Sequence, residues 1–275
     1  MRIRRTLISH LNRFPKLKSK LRILRNHLFA LVGASSQYTI LQGKRAIKEA
    51  ERLRYSWQSD IVPQRQRMMV EPQLELYKAG RDVDVFDVFV DALRALPDLR
   101  SRASLLEVGC SSGYYAEVIE LAGLQIRYSG CDYSTAFILM AREKYPFIDF
   151  KVEDATALHY ANESFDIVVS GCCLLHIPEY QKAVVETARV SRCYAVFHRT
   201  PVVWGQPERY YYKKAYGIET IEIHFNESEF LSLLSRNSLE LIATYTLSEN
   251  CSDHEGKQGQ AIRTYVCRKK INDNS

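Results

Sequence analysis

The stretch Leu105–Glu120, LLEVGCSSGYYAEVIE, followed by Tyr128–Ser134, YSGCDYS, decides the fold. Leu105, Leu106 and Val108 make a short apolar strand. Gly109 to Gly113 form a turn of small residues in which the backbone reverses sharply with no bulky side chain between it and a ligand. Tyr115, Val118, Ile119 and Leu121 recur at helical spacing, so the turn opens a helix whose N-terminus points at the site, and the N–H groups of the turn are expected to face the ligand. About twenty residues further on, Asp132 ends a second strand, where a carboxylate can accept hydrogen bonds from both hydroxyls of a ribose. A strand, a tight turn, a helix and a strand ending in a carboxylate form a layout that binds a nucleoside.

The residue types narrow which nucleoside. A dinucleotide fingerprint needs glycines at 109, 111 and 114, because the pyrophosphate demands close backbone approach. Those positions hold Gly109, Ser111 and Tyr114, which argues against a nicotinamide dinucleotide. Here the chain resembles the class I S-adenosylmethionine-dependent methyltransferases, whose first motif reads E/D-x-G-x-G-x-G. Glu107, Gly109 and Gly113 match it, and Ser111 replaces the middle glycine with another small residue. Downstream, FKVEDATAL supplies Asp154, where the family holds the adenine amino group with an acidic residue, and SFDIVVSGCCLLHIP matches the family's fourth strand and following turn. The resemblance covers residues 104–200 and implies S-adenosyl-L-methionine as cofactor. It assigns to cofactor binding Glu107, Gly109, Cys110, Ser111 and Gly113 of the turn, Asp132 with Tyr133, Asp154 with Ala155, and Ser170 at the fourth strand's end. Cys110 is expected to contribute its backbone. Taken singly, Asp132 also reads as a solvated loop carboxylate, Asp154 as a helix cap and Tyr133 as a packed aromatic.

From residue 104 onward strands and helices alternate. Strands are expected near 104–109, 126–131, 148–152, 165–170 and 193–198, with helices near 113–123, 134–144 and 179–190. A last helix, ESEFLSLLSRN, precedes two β-rich stretches. The expected fold class is α/β, a Rossmann-like, doubly wound and mostly parallel seven-stranded sheet with an antiparallel last strand, plus a helical N-terminal extension. Residues 1–98 are taken as the extension and 99–275 as the methyltransferase domain.

Composition fits a globular chain: 275 residues, 46% hydrophobic and 11% aromatic, with no apolar run near the eighteen or so residues of a membrane span. The seven cysteines show no C-x-x-C spacing and read as reduced, buried residues of a cytoplasmic protein, so neither a disulfide framework nor a metal site is expected. Charge divides the chain. Residues 1–48 carry twelve Lys or Arg and no acid, leaving 26 basic against 32 acidic residues in the remainder. An acidic body argues against a broad nucleic-acid groove. Within the front, Leu17, Leu21, Leu24, Leu28 and Leu31 form one stripe flanked by Lys16, Lys18, Lys20, Arg22 and Arg25. This basic amphipathic helix has three open readings: docking on the body, peripheral contact with an anionic membrane surface, or a targeting peptide.

The acceptor is sought at the strand ends and in residues 200–225, TPVVWGQPERYYYKKAYGIETIEIHF. Trp204, Tyr210, Tyr211, Tyr212 and Tyr216 there form either an aromatic lid or the packing of a long loop. A hydroxyl acceptor needs a general base, for which His198 at the fifth strand's end is the first catalytic candidate, with His176 and His224 behind it. Arg199 either holds an anionic substrate group or pairs with a surface carboxylate. The turn Ser170-Gly171-Cys172-Cys173 lacks the Asn/Asp-Pro-Pro-aromatic motif of methyltransferases that act on planar amino groups, and no proline–cysteine motif suggests a cytosine methylase. The overall pattern, with FHRTPV and the long preface before the first motif, is similar to small-molecule and glycan methyltransferases, and this resemblance implies methyl transfer to a small-molecule or glycan acceptor, expected at a hydroxyl. The alternatives are an RNA methyltransferase tethered by its basic front and a non-catalytic adaptor that keeps the fold.

Overall fold

The apolar run Ala103–Val108 forms a strand buried at every position, as a strand covered by helices on both faces must be. The computed structural model describes residues 34–97, 101–251 and 256–270, so the basic amphipathic stretch at 15–31 lies outside the described residues. In chain order the elements are β1 (Ala34–Leu41), α1 (Gly43–Arg52), α2 (Val62–Lys78), α3 (Asp84–Arg94), β2 (Ala103–Val108), α4 (Tyr115–Leu121), β3 (Ile126–Asp132), α5 (Thr135–Lys144) and β4 (Asp149–Val152). There follow β5 (Phe165–Gly171), a 3₁₀ turn (Leu174–His176), α6 (Tyr180–Val190), β6 (Ser191–Trp204), β7 (Arg209–Ala215), β8 (Ile218–Asn226), α7 (Glu227–Arg236), β9 (Leu239–Cys251) and β10 (Gly259–Lys269).

The central sheet runs β4-β3-β2-β5-β6-β10-β9. β4 through β6 pair in parallel, while β10 is antiparallel to both β6 and β9. This is the expected mostly parallel seven-stranded order with its antiparallel strand. Side chains alternate across it with period two. On β5 and β6, Ile167, Val169, Tyr194 and Val196 share a core with Leu74, Phe86, Phe89 and Ile119 of the helices on one face. Ala195 and Phe197 join Val184, Phe230 and Leu234 of α6 and α7 on the other. Each fully buried Leu, Ile or Phe stabilises the sheet by about 1.5–3 kcal/mol.

The region expected as a loop insertion forms strands that extend the same sheet into an annex. β6 extends beyond the parallel core, and its Val202 and Val203 pair with Phe225 and Asn226 of β8. β8 pairs antiparallel with β7, and β7 with β1. The alternation of Ile221, Ile223 and Phe225 with Glu222 and His224 gives a strand with one apolar face, while Thr220 and Glu222 on the other face are buried as well. Residues 34–97 thus supply the edge strand of this annex as well as three helices.

Candidate active site

The strand ends and the preceding segment enclose one cavity of about 300 Å³. Its first half is built by the turn after β2. Gly109 and Ser111 both take left-handed backbone, φ +73° and +49°, and line the cavity. A Cβ on Gly109 would lie 2.4 Å from the Cβ of Cys173, so close packing of two turns requires glycine there. Asp132, at the end of β3, accepts from the Ser111 N–H at 3.0 Å and the Ser134 N–H at 2.9 Å. Burial pushes its carboxyl up to about 6, against the pull of these two backbone bonds. Two N–H bonds leave the carboxylate further acceptor capacity on the cavity side. Tyr133, Asp154 and Ala155 line the same half. One Asp154 oxygen accepts from the N–H and hydroxyl of Thr156, and the other lies 3.7 Å from Arg54.

The second half faces it across the segment after α1. The backbone N–H of Trp57 donates to the Tyr133 hydroxyl at 3.0 Å, and its indole N–H donates to Thr220 Oγ1 at 3.1 Å. One residue therefore ties the β3 end to the annex. The Trp57 ring packs 4.7 Å from His176 and 5.8 Å from Tyr216, both of which line the cavity. His176 Nδ1 donates to the Ile221 carbonyl at 2.6 Å, which leaves Nε2 with its lone pair. Nε2 carries no hydrogen bond among the described residues, and burial lowers the imidazole to about 4, so the ring is neutral at pH 7. Glu222 and Lys213, paired at 2.8 Å, line the wall behind it, and Arg199 lines the cavity with φ +58°.

Residues 106–195 match the model of a methyltransferase domain family. The chain is 35% identical over 103 residues to a demethylmenaquinone methyltransferase of Renibacterium salmoninarum, covering 38% of this chain and 41% of that protein. Over 90 residues it is 32% identical to a phthiotriol/phenolphthiotriol dimycocerosates methyltransferase of Mycobacterium leprae, covering 31% and 33%. A crystal structure of a SAM-dependent methyltransferase from Methanosarcina mazei superposes with a TM-score of 0.50 at 19% identity, over 63% of this chain and 95% of that one. Residues 106–195 thus carry a methyltransferase domain of the class I, S-adenosylmethionine-dependent kind. The chain spans about two fifths of the length of the first of these curated relatives.

The residues fit the cofactor of this family. The left-handed Gly109–Ser111 turn opens onto the cavity without a bulky side chain, and Asp132 turns spare acceptor capacity toward it. The fold places only some of the sequence-predicted residues at the cavity. Gly109, Ser111, Asp132, Tyr133, Asp154 and Ala155 line it. Glu107 does not: it is 1% exposed, accepts from the Tyr128 hydroxyl and lies behind Gly171, whose added Cβ would strike it at 2.2 Å. Burial holds its carboxyl well above the usual range. Gly113 also lies off the cavity, because its missing Cβ makes room for the Phe150 ring. Cys110 turns its thiol inward, and its backbone is engaged rather than offered, since the N–H groups of Gly109 and Cys110 both donate to the Cys131 carbonyl. Ser170 is buried with its hydroxyl against Cys173 Sγ, and Gly171 takes its place on the wall.

The first catalytic candidate is displaced too. His198 is 1% exposed, with Nε2 bonded to the Tyr115 hydroxyl at 2.8 Å and Nδ1 to Thr264 Oγ1 at 2.9 Å. Both ring nitrogens are taken, burial holds the ring well below its ordinary pKa, and it does not line the cavity. The second-choice His176 lines the cavity in its place. Of the five aromatics expected as a lid, Tyr216 alone reaches the wall; Tyr210, Tyr211 and Tyr212 are strand residues of β7. No sequence signal marks Trp57, because nothing local reveals that its two N–H groups bridge Tyr133 and Thr220, residues far away along the chain.

Proposed function

We propose that the protein transfers the methyl group of S-adenosylmethionine to a hydroxyl of a small-molecule or glycan acceptor, with His176 as the base. The observation that carries this reading is a single cavity holding Asp132 on one wall and the unbonded Nε2 of His176 on the other. The cofactor supplies an electrophilic methyl on a sulfonium, so alignment and water exclusion are the protein's main tasks. Asp132 would hold the ribose hydroxyls of the cofactor, and the Gly109–Ser111 turn leaves room beside it. Trp57 and Tyr216 offer flat apolar walls to an acceptor, which suits an aromatic or sugar ring. His176 Nε2, its tautomer held by the Ile221 carbonyl, would take the hydroxyl proton while the methyl leaves the sulfonium sulfur for the acceptor oxygen and S-adenosylhomocysteine is released. Relatives named for demethylmenaquinone and phthiotriol acceptors support a small-molecule substrate. The rim cations Arg54 and Lys213 are already paired with Glu179 and Glu222, which does not favour a polyanion track.

The test is methyl transfer from methyl-labelled S-adenosylmethionine to a panel of simple phenols and methyl glycosides. Transfer to a hydroxyl is expected, with His176→Gln lowering kcat by about 100-fold or more while S-adenosylhomocysteine affinity is unchanged. Equal rates in the variant, or no transfer to any hydroxyl, would contradict the reading.

A further inference from the structure

The β6–β10 ladder is irregular at one place. Arg263 pairs with Thr200 and Tyr265 with Phe197, so the single residue Thr264 faces both His198 and Arg199. This is a β-bulge on β6, in which one extra residue breaks the inside-outside alternation. Thr264 Oγ1 fastens it, bonding to His198 Nδ1 at 2.9 Å and accepting from the Arg199 N–H at 3.3 Å. The consequence is that His198 turns into the core while Arg199, in left-handed backbone at φ +58°, turns onto the cavity. A non-glycine residue held there is strained, and such strain is tolerated where the surroundings hold it in place and gathers at functional sites.

The charges on the cavity wall single out this residue. Arg54 is paired with Glu179 at 2.5 Å and Lys213 with Glu222 at 2.8 Å. Glu153 bonds to His159, and Asp132 and Asp154 belong to the cofactor half. The Arg199 guanidinium has no ion pair and no side-chain hydrogen bond among the described residues, and its electrostatic neighbours are the Cys172 thiol and the phenols of Tyr115, Tyr114 and Tyr216. An arginine largely withdrawn from water without a partner is costly unless a ligand completes it. Its planar fork matches a carboxylate or a phosphate, two oxygens at a time.

We propose that Arg199 is the anion-binding residue of the acceptor half, so that the methyl acceptor carries a carboxylate or phosphate group beside its reacting hydroxyl. This rests on the methyltransferase reading above and deepens it. The bulge is then the device that sets the anion site on the wall shared with His176.

The test measures binding to the full chain saturated with S-adenosylhomocysteine, using 4-hydroxybenzoate, phenyl phosphate and the neutral 4-hydroxybenzyl alcohol as probes. At least one anionic probe is expected to bind about tenfold or more tighter than the alcohol, and the stronger of the two names the anion. Arg199→Gln is expected to abolish that preference and Arg199→Lys to keep part of it, while S-adenosylhomocysteine affinity stays within about twofold. No anion preference, including no binding by any probe, overturns the proposal. So does an Arg199→Gln variant that retains the preference, or one that loses S-adenosylhomocysteine instead, which would place the guanidinium on the cofactor's own carboxylate. Failure of S-adenosylhomocysteine to bind the unsubstituted protein is a different result, because it removes the methyltransferase reading itself.

Discussion

Asp132 shows how one side chain joins fold to chemistry. Its two backbone bonds close the turn at Ser111 and start α5 at Ser134, and the same carboxylate faces the cavity. Because burial raises it to about 6, it is ionised and able to accept two hydroxyls above that pH, and gains a proton below it. Affinity for S-adenosylhomocysteine should therefore be flat above about pH 7 and weaken toward tenfold per unit below about pH 6. Asp132→Asn should bind weakly and without that slope, and the same slope in the variant would assign it to another group. Asp132 was legible in the sequence because a strand end places its residue by chain direction alone. His198 was misread for a reason of the same scale: at a strand end, one bulge residue exchanges the inward and outward positions, and nothing in FHRTP signals the bulge.

The turn after β2 illustrates the scale of the element. Its glycines serve two needs that the motif does not separate: Gly109 admits Cys173 from the neighbouring turn, while Gly113 admits Phe150 from β4. Gly109→Ala should cost about 2 kcal/mol or more in urea unfolding, since strain at φ +73° adds to a Cβ contact of 2.4 Å. Gly123→Ala, at φ +69° with open space around it, carries only the conformational part and should cost clearly less. Equal costs would mean that the packing of Cys173 on Gly109 contributes nothing. The strands of the parallel core were legible as apolar runs between turn signals, such as Phe165–Gly171. The annex was not, although Ile221, Ile223 and Phe225 alternate in plain view, because the pairing partner of β7 is β1, more than 160 residues earlier.

On the scale of the whole molecule, the cavity is lined both from the core sheet and from the annex, with Trp57 joining the two through Tyr133 and Thr220. A ligand bound by the folded chain alone stabilises it by about 2.7 kcal/mol at a hundredfold excess over Kd. For a chain of this size that is a rise of about 5–10 °C in Tm with S-adenosylhomocysteine. No rise at saturating ligand would mean that the cavity is not the cofactor site. The acidic body and basic front seen in composition bear on what the molecule meets and leave the fold unaffected. The most direct measurement is calorimetric titration of the full chain and its Asp132→Ala variant with S-adenosylmethionine and S-adenosylhomocysteine. Micromolar binding that collapses in the variant is the expected result. Folded protein that binds neither ligand, or a variant that binds both as tightly as the unsubstituted chain, would contradict the assignment of this cavity to the methyl donor.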